Sequence, residues 1–89
     1  MTNIPGLAPG MTIAAARRVL TRTFRDAGLD SPDLDARLLV GHALGLDHAA
    51  LASNGERPLT DAEIPAVAAA AGRRLAREPV ARIVGRKEF

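Results

Sequence analysis

Arginine side chains near the C-terminal end are the groups in this sequence that could bind a charged partner. Residues 73–89 contain six basic and two acidic side chains, whereas residues 1–72 contain six basic and eight acidic ones. A cluster of guanidinium groups can attract phosphate or an acidic protein surface. The alternative is a solvated helix end, where the helix dipole also favours basic residues. We single out Arg73, Arg77 and Arg86 as candidate partner-binding residues.

Histidine and cysteine, which often act in catalysis or bind zinc, are scarce. The chain has no cysteine and two histidines, His42 and His48. Two histidines are too few for a zinc site without carboxylate ligands, and the lack of cysteine excludes thiolate sites and disulfide bonds. We expect a structural role for His42, because no acidic or nucleophilic partner stands at a recognisable spacing from it. The sequence therefore predicts no catalytic, metal-binding or cofactor-binding residue.

The composition favours helices over a sheet. Hydrophobic residues make up 47% of the 89 residues but aromatic residues only 2%, and alanine and leucine supply most of the apolar content. Such a mixture suits closely packed helices, and the length allows one domain. We expect an all-α fold, a small bundle of four to five helices. No apolar stretch approaches the roughly 20 residues of a membrane span, so we expect a cytoplasmic monomer that does not enter membranes.

Capping residues and glycines predict where the helices begin and end. Residues 1–11 have the Pro-Gly composition of a flexible arm and no apolar period, which predicts disorder there. The first predicted helix runs from Thr12 to Gly28 and the second from Ser31 to Gly45. A short third helix follows Asp47, and the fourth opens with a capping box from Thr60 to Glu63. A short fifth helix runs from Pro79 to Gly85. Pro65 predicts a distorted first turn in the fourth helix. The second helix is apolar on most sides, which indicates a central position.

Two longer segments of the sequence resemble segments of a known protein family. They are Leu-Asp-Ala-Arg-Leu-Leu at residues 34–39 and Glu-Pro-Val-Ala-Arg-Ile-Val-Gly-Arg-Lys-Glu-Phe at residues 78–89. Together with Leu-Thr-Asp at residues 59–61 and an Arg-Arg pair at residues 73–74, they resemble the N-terminal domain of the HemK/PrmC family. Members of that family methylate the glutamine of the Gly-Gly-Gln motif in peptide chain release factors. The likeness spans residues 12–89.

The resemblance implies a domain organisation and a role. A helical domain, here residues 12–85, would precede a Rossmann-like catalytic domain that uses S-adenosylmethionine, and residues 86–89 would begin the linker hairpin between them. The family's glycine-rich cofactor loop and Asn-Pro-Pro-Tyr motif have no counterpart in this chain, so no catalytic or cofactor residue is carried over. The helical domain would help to recognise the release factor. Asp35 becomes a candidate for a buried contact with an arginine of the fourth helix, the alternative being a surface position.

Two other functions remain open from the sequence. The helix, turn and short helix of residues 33–53 could form a helix-turn-helix DNA-binding motif. The second helix of that pair has no Arg, Lys, Asn or Gln to contact bases or phosphates, so we do not expect direct DNA binding. A free-standing helical interaction module with a basic tail is the other alternative. It differs from the first hypothesis in having no catalytic domain after residue 89.

Overall fold

The computed structural model describes residues 4–85, which form a bundle of five helices. The helices are α1 (Ile13–Asp26), α2 (Pro32–Leu44), α3 (His48–Ser53), α4 (Glu63–Leu75) and α5 (Val80–Ile83). Apart from one isolated bridge pair, residues 4–85 contain no β-structure. The prediction of an all-α bundle is confirmed. Residues 86–89, which were predicted to begin a linker hairpin, lie outside the described residues.

The predicted caps close the N-terminal ends of α1 and α3. Thr12 Oγ1 accepts a hydrogen bond from the Ala15 N–H at 3.1 Å, and Asp47 Oδ1 accepts one from the Ala50 N–H at 2.8 Å. Each bond satisfies an N–H group that has no partner inside its helix. Ser31 precedes α2 as predicted but makes no side-chain capping bond, so the start of α2 depends on Pro32 at the first helical position.

A reciprocal capping box sets the start of α4. Thr60 Oγ1 accepts a hydrogen bond from the Glu63 N–H at 3.2 Å, and Glu63 Oε1 accepts one from the Thr60 N–H at 3.0 Å. Arg57 approaches the same carboxylate with Nη1 and Nη2, at 3.1 and 3.0 Å. Residues 61–62 form a turn, and α4 begins at Glu63. Pro65 therefore lies in the first turn, where its missing N–H breaks no helical bond.

The second helix, α2, packs against each of the other four helices, which confirms its predicted central position. Its apolar residues are not all inside, however. Leu39 and Val40 are fully buried, Leu38 is half-buried, and Leu34 is 44% exposed. The largest fully buried side chains of the core are Phe24, Ile13, Leu20, Leu39, Leu51, Val40 and Val67. The core thus lies mainly between α1, α2 and α4.

The N-terminal segment 4–11 packs on the bundle without forming a helix. Ile4 is only 4% exposed and belongs to the core. The Leu59 N–H donates to the Met11 oxygen at 2.7 Å, and the Gly10 N–H donates to the Leu59 oxygen at 3.2 Å. This docking was not predicted, because Ile4, Leu7 and Met11 stand among prolines and glycines, a composition that is typical of a flexible arm.

A glycine inside α2 allows the chain to turn sharply towards α3. Gly45 ends α2 with a φ of +71°, a conformation that suits glycine. The Leu46 N–H then donates to the Gly41 oxygen at 2.8 Å. A Cβ atom at Gly41 would lie 2.8 Å from the Leu46 backbone oxygen. The close approach of the two backbones therefore requires glycine at this position.

Candidate partner-binding site

The candidate residue Arg73 is paired with a carboxylate of its own chain. Its Nε donates to Oε1 of Glu78 at 2.9 Å, and its Nη2 donates to Oε2 of the same group. This hydrogen bonding is the main cause that lowers the pKa of Glu78 and raises the pKa of Arg73. A two-point pair fixes the direction of the guanidinium plane. Arg73 thus fastens the turn between α4 and α5.

The neighbouring Arg74 joins α4 to α2 through a nearly buried ion pair. Its Nε donates to Oδ2 of Asp35 at 2.9 Å, and the two side chains are 19% and 8% exposed. Its Nη1 also donates to the Glu78 backbone oxygen at 3.2 Å. Because both charges are largely withdrawn from water, loss of either one would leave the other without a compensating charge. The expected buried contact of Asp35 with an arginine of the fourth helix is confirmed.

The third arginine of this region, Arg77, connects the end of α4 to the end of α1. It has a φ of +72°, in the left-handed region that residues other than glycine rarely adopt. Its Nη2 donates to the Ala27 backbone oxygen at 2.8 Å, just after α1 ends. The Glu78 N–H donates to the Arg73 oxygen at 3.1 Å, which completes a helix-terminating turn around Arg77.

Arg73, Arg74 and Arg77 therefore form a network within the domain, which we call the α4-end cluster. Of the predicted partner-binding residues, the structure brings Arg73 and Arg77 into this cluster, while Arg86 lies outside the described residues. A role of these side chains in binding a partner stays a prediction. Their geometry gives Arg73 and Arg77 an internal role, because each already has an acceptor in the same chain.

A second basic surface lies on the outer side of α1. It consists of Arg17, Arg18, Arg22 and Arg25, and we call it the α1 basic face. With Ala14, Thr21 and Asp33, these residues line a shallow cleft of about 410 Å³. Among the ion pairs of the described residues, only one involves this face: Arg25 Nη2 lies 4.0 Å from Asp33 Oδ1, and the two side chains are 63% and 83% exposed.

The α1 basic face was missed as a site because charge was summed over long stretches of sequence. Residues 1–72 have more acidic than basic side chains, which hides a local concentration of arginine. The spacing of Arg18, Arg22 and Arg25 was the available signal, since residues three and four positions apart lie on the same side of a helix. Asp26, the one acidic residue of α1, lies four positions after Arg22, a spacing that permits pairing, but among the described residues no ion pair joins the two.

The two histidines lie on the surface of the described part of the chain. Both His42 and His48 are exposed, and neither forms an ion pair within residues 4–85. His42 lines a small groove with Arg73 and Ile83. In the part of the chain that the structure describes, no group of three or more His, Cys, Asp or Glu residues could hold a metal ion. None of the described helices combines the length and apolarity needed to cross a membrane.

Known proteins resemble this chain over most of its length. The sequence model of the PrmC N-terminal domain matches residues 15–85. The release factor glutamine methyltransferase of Bradyrhizobium diazoefficiens is 50% identical over 80 residues, which cover 90% of this chain and 27% of that protein. The enzyme of the same name from Rhodospirillum rubrum is 46% identical over 63 residues, which cover 71% and 19%. The bifunctional methyltransferase of Rickettsia bellii is 44% identical over 62 residues, which cover 70% and 11%.

The matched region contains both basic surfaces. Residues 15–85 include α2 to α5 and nearly all of α1. The chain spans 27% or less of the length of these three curated relatives. No solved structure matches the chain significantly.

Proposed function

The chain belongs to the PrmC N-terminal domain family, and on that basis we propose that it is the substrate-recognition domain of a release factor glutamine methyltransferase. In this proposal the helices contact the release factor, and a separate catalytic domain transfers a methyl group from S-adenosylmethionine to the glutamine of the Gly-Gly-Gln motif. The observation that carries the proposal is the family match across residues 15–85. The proposal also assigns the protein to the cytoplasm and to translation termination.

The described residues do not fit S-adenosylmethionine. Cofactor-binding loops of Rossmann-like domains follow a β-strand and open a helix, whereas Gly28 and Gly45 of this chain follow helices and terminate them. The helices of residues 13–83 pack directly on one another rather than on a sheet. We therefore assign no step of methyl transfer to these residues. The greater length of the relatives leaves ample sequence for a catalytic domain in those proteins.

A rigid helical surface suits the recognition of a protein substrate. Methyl transfer to an amide nitrogen requires the nitrogen to be held close to the methyl carbon and in line with the leaving sulfur. Contacts with a large substrate away from the reacting atoms can supply the binding energy for this positioning. The fully buried core and the Asp35–Arg74 pair restrain the helices of this domain relative to one another.

The α4-end cluster also determines the direction in which the chain leaves the bundle. Glu78 is held by the side chain of Arg73 and by the Nη1 of Arg74. Two residues later α5 begins, and its Ile83 is 3% exposed against the core. These contacts support a fixed position of α5 on the bundle.

The proposal is tested with the intact enzyme and a variant that lacks the helical domain. The two proteins methylate either the intact release factor of the same organism or a short Gly-Gly-Gln peptide. We expect removal of the domain to raise the KM for the intact release factor at least about tenfold, while kcat/KM for the peptide changes little, because the peptide has no surface to contact the domain. The peptide reaction is the control for an undamaged catalytic domain.

Two results would contradict the proposal. The first is an unchanged KM for the intact release factor after removal of the domain. The second comes from calorimetry on the 89-residue chain alone, for which we expect saturable binding of the release factor and no heat with S-adenosylmethionine. Binding of the cofactor with a low-micromolar Kd would assign catalytic machinery to these helices.

A further inference from the structure

Among the residues that the structure describes, the arginines of the α1 basic face have no close acceptor, unlike those of the α4-end cluster. Arg73, Arg74 and Arg77 each donate to an oxygen of the chain at 2.8 to 2.9 Å. On the α1 basic face, the shortest ion pair among the described residues is the 4.0 Å approach of Arg25 to Asp33, between strongly exposed side chains. An exposed pair at this distance contributes little. The guanidinium groups of the α1 basic face therefore remain available to an external acceptor.

The positions of these arginines on α1 concentrate positive charge. Arg18 and Arg22 are four residues apart, and Arg22 and Arg25 are three apart, so all three lie on one side of the helix. Like charges at these spacings repel and destabilise a helix. The α1 sequence keeps them next to the small side chains of Ala14 and Thr21, which leave a cleft between the arginines. An acidic partner would remove the repulsion and fill the cleft.

We propose that the α1 basic face docks an acidic segment of the release factor, an inference that rests on the proposed function. Arginine forms two parallel hydrogen bonds to a carboxylate, which gives both attraction and orientation. Complementary charge at such a surface accelerates association and selects the partner. The face thus supplies the recognition surface that the proposed function requires.

The lining of the cleft favours protein carboxylates over nucleic acid. Proteins that bind single-stranded nucleic acid combine basic residues with aromatic rings on which bases stack, and the residues that line this cleft include no aromatic side chain. Asp33, which lines the cleft and is 83% exposed, would repel phosphates next to it. A protein segment can place a basic side chain beside Asp33 and carboxylates beside Arg18 and Arg22.

The test compares two charge reversals of equal size in the intact enzyme. Arg22→Glu changes the α1 basic face, and Arg82→Glu changes an exposed arginine of α5 by the same charge. We expect Arg22→Glu to weaken binding of the release factor about tenfold at low salt, whereas Arg82→Glu changes it less than about twofold. Arg18→Glu/Arg22→Glu should weaken it further, and Asp33→Asn should strengthen it. Methylation of a Gly-Gly-Gln peptide should be the same for all variants.

The outcomes separate this inference from the proposed function. Absence of release factor binding by the wild-type enzyme contradicts the proposed function and the inference with it. If the wild-type enzyme binds the release factor and Arg22→Glu does not weaken this binding, the assignment of the docking surface is wrong and the proposed function stands. The same follows if Arg82→Glu weakens the binding as much as Arg22→Glu does. A twelve-nucleotide uridine oligomer is the probe for the competing partner: if Arg22→Glu reduces its binding and not that of the release factor, the face binds nucleic acid. Circular dichroism checks that α1 remains folded in each variant.

Discussion

The two groups of arginines in this domain have the same chemistry and opposite surroundings. In the α4-end cluster each arginine donates to a close oxygen, from Asp35, from Glu78 or from the Ala27 backbone, whereas among the described residues the α1 basic face has one distant and exposed carboxylate. The difference shows that the number of basic residues in a stretch of sequence does not reveal which of them are available to a partner. Acceptors from the same chain decide that, and most of them come from other elements of the fold.

The largest expected effect concerns the nearly buried ion pair of the α4-end cluster. Asp35→Ala leaves the Arg74 guanidinium without its carboxylate in a site where its side chain is 19% exposed. Removal of one partner from a buried pair typically costs about 3 kcal/mol, and we expect a loss of free energy of unfolding of that order in urea denaturation.

The matched control for this loss is Arg18→Ala on the α1 basic face. Arg18 is exposed and forms no ion pair within the described residues, so its removal should change the free energy of unfolding by less than about 0.5 kcal/mol. If the two substitutions lower the free energy of unfolding equally, the Asp35–Arg74 pair stabilises the domain no more than the exposed Arg18 does.

A smaller effect is expected at the end of α4. Arg77→Ala removes the hydrogen bond to the Ala27 oxygen and keeps an L-residue at a φ of +72°. Arg77→Gly removes the same bond but relieves the left-handed strain, which for an L-residue amounts to about 1 kcal/mol. The glycine variant should therefore be about 1 kcal/mol more stable than the alanine variant in thermal or urea unfolding. An alanine variant as stable as the glycine variant would mean that the backbone carries no strain there.

The smallest expected effect is on the dependence of stability on pH. In the folded chain, hydrogen bonds from Arg73 and Arg57 hold the pKa of Glu78 and of Glu63 below the ordinary value of 4.5. A carboxylate whose pKa is lowered by folding stabilises the fold above its ordinary pKa, and the stabilisation is lost as the pH falls through the lowered value. The free energy of unfolding should therefore decrease between about pH 5 and pH 3.

Paired substitutions test whether this pH dependence comes from the Arg57–Glu63 and Arg73–Glu78 ion pairs. In Arg57→Ala/Arg73→Ala the decrease between about pH 5 and pH 3 should be smaller, because the main cause that lowers the pKa of each carboxylate is removed, although the Thr60 N–H still lowers that of Glu63. Arg18→Ala/Arg22→Ala serves as the control and should keep the wild-type pH dependence. A control that flattens the profile as much would show that overall charge, rather than the ion pairs, produces it.

Much of the fold could be predicted because its helix ends are encoded locally. Thr12, Asp47 and the Thr60–Glu63 capping box each act on an N–H group within three residues. Local sequence signals could not predict which apolar residues of α2 are buried in the core. A helix with leucine on several sides does not show which leucine faces the core: Leu39 is fully buried, whereas Leu38 is half-buried and Leu34 is exposed.

The candidate site could be predicted only in part, because its contacts join residues distant in sequence. The Arg74–Asp35 pair spans 39 positions and the Arg77–Ala27 bond spans 50. Family resemblance indicated the first, and nothing in the local pattern indicated the second. For the α1 basic face the decisive fact is that no other described element brings a carboxylate closer than 4.0 Å to its arginines, and this is visible only in the assembled bundle.

Glycine at position 41 lowers the stability of α2 as an isolated helix but is required in the folded domain. Alanine is the better helix former, so an isolated peptide with the sequence of α2 should become more helical after Gly41→Ala. In the assembled protein, the added methyl group would press on the backbone oxygen of Leu46 at 2.8 Å and force the following turn to move. Gly41→Ala would thus stabilise the isolated helix and destabilise the folded domain. Glycine lowers the helix propensity of α2, but it leaves the space that the turn between α2 and α3 needs.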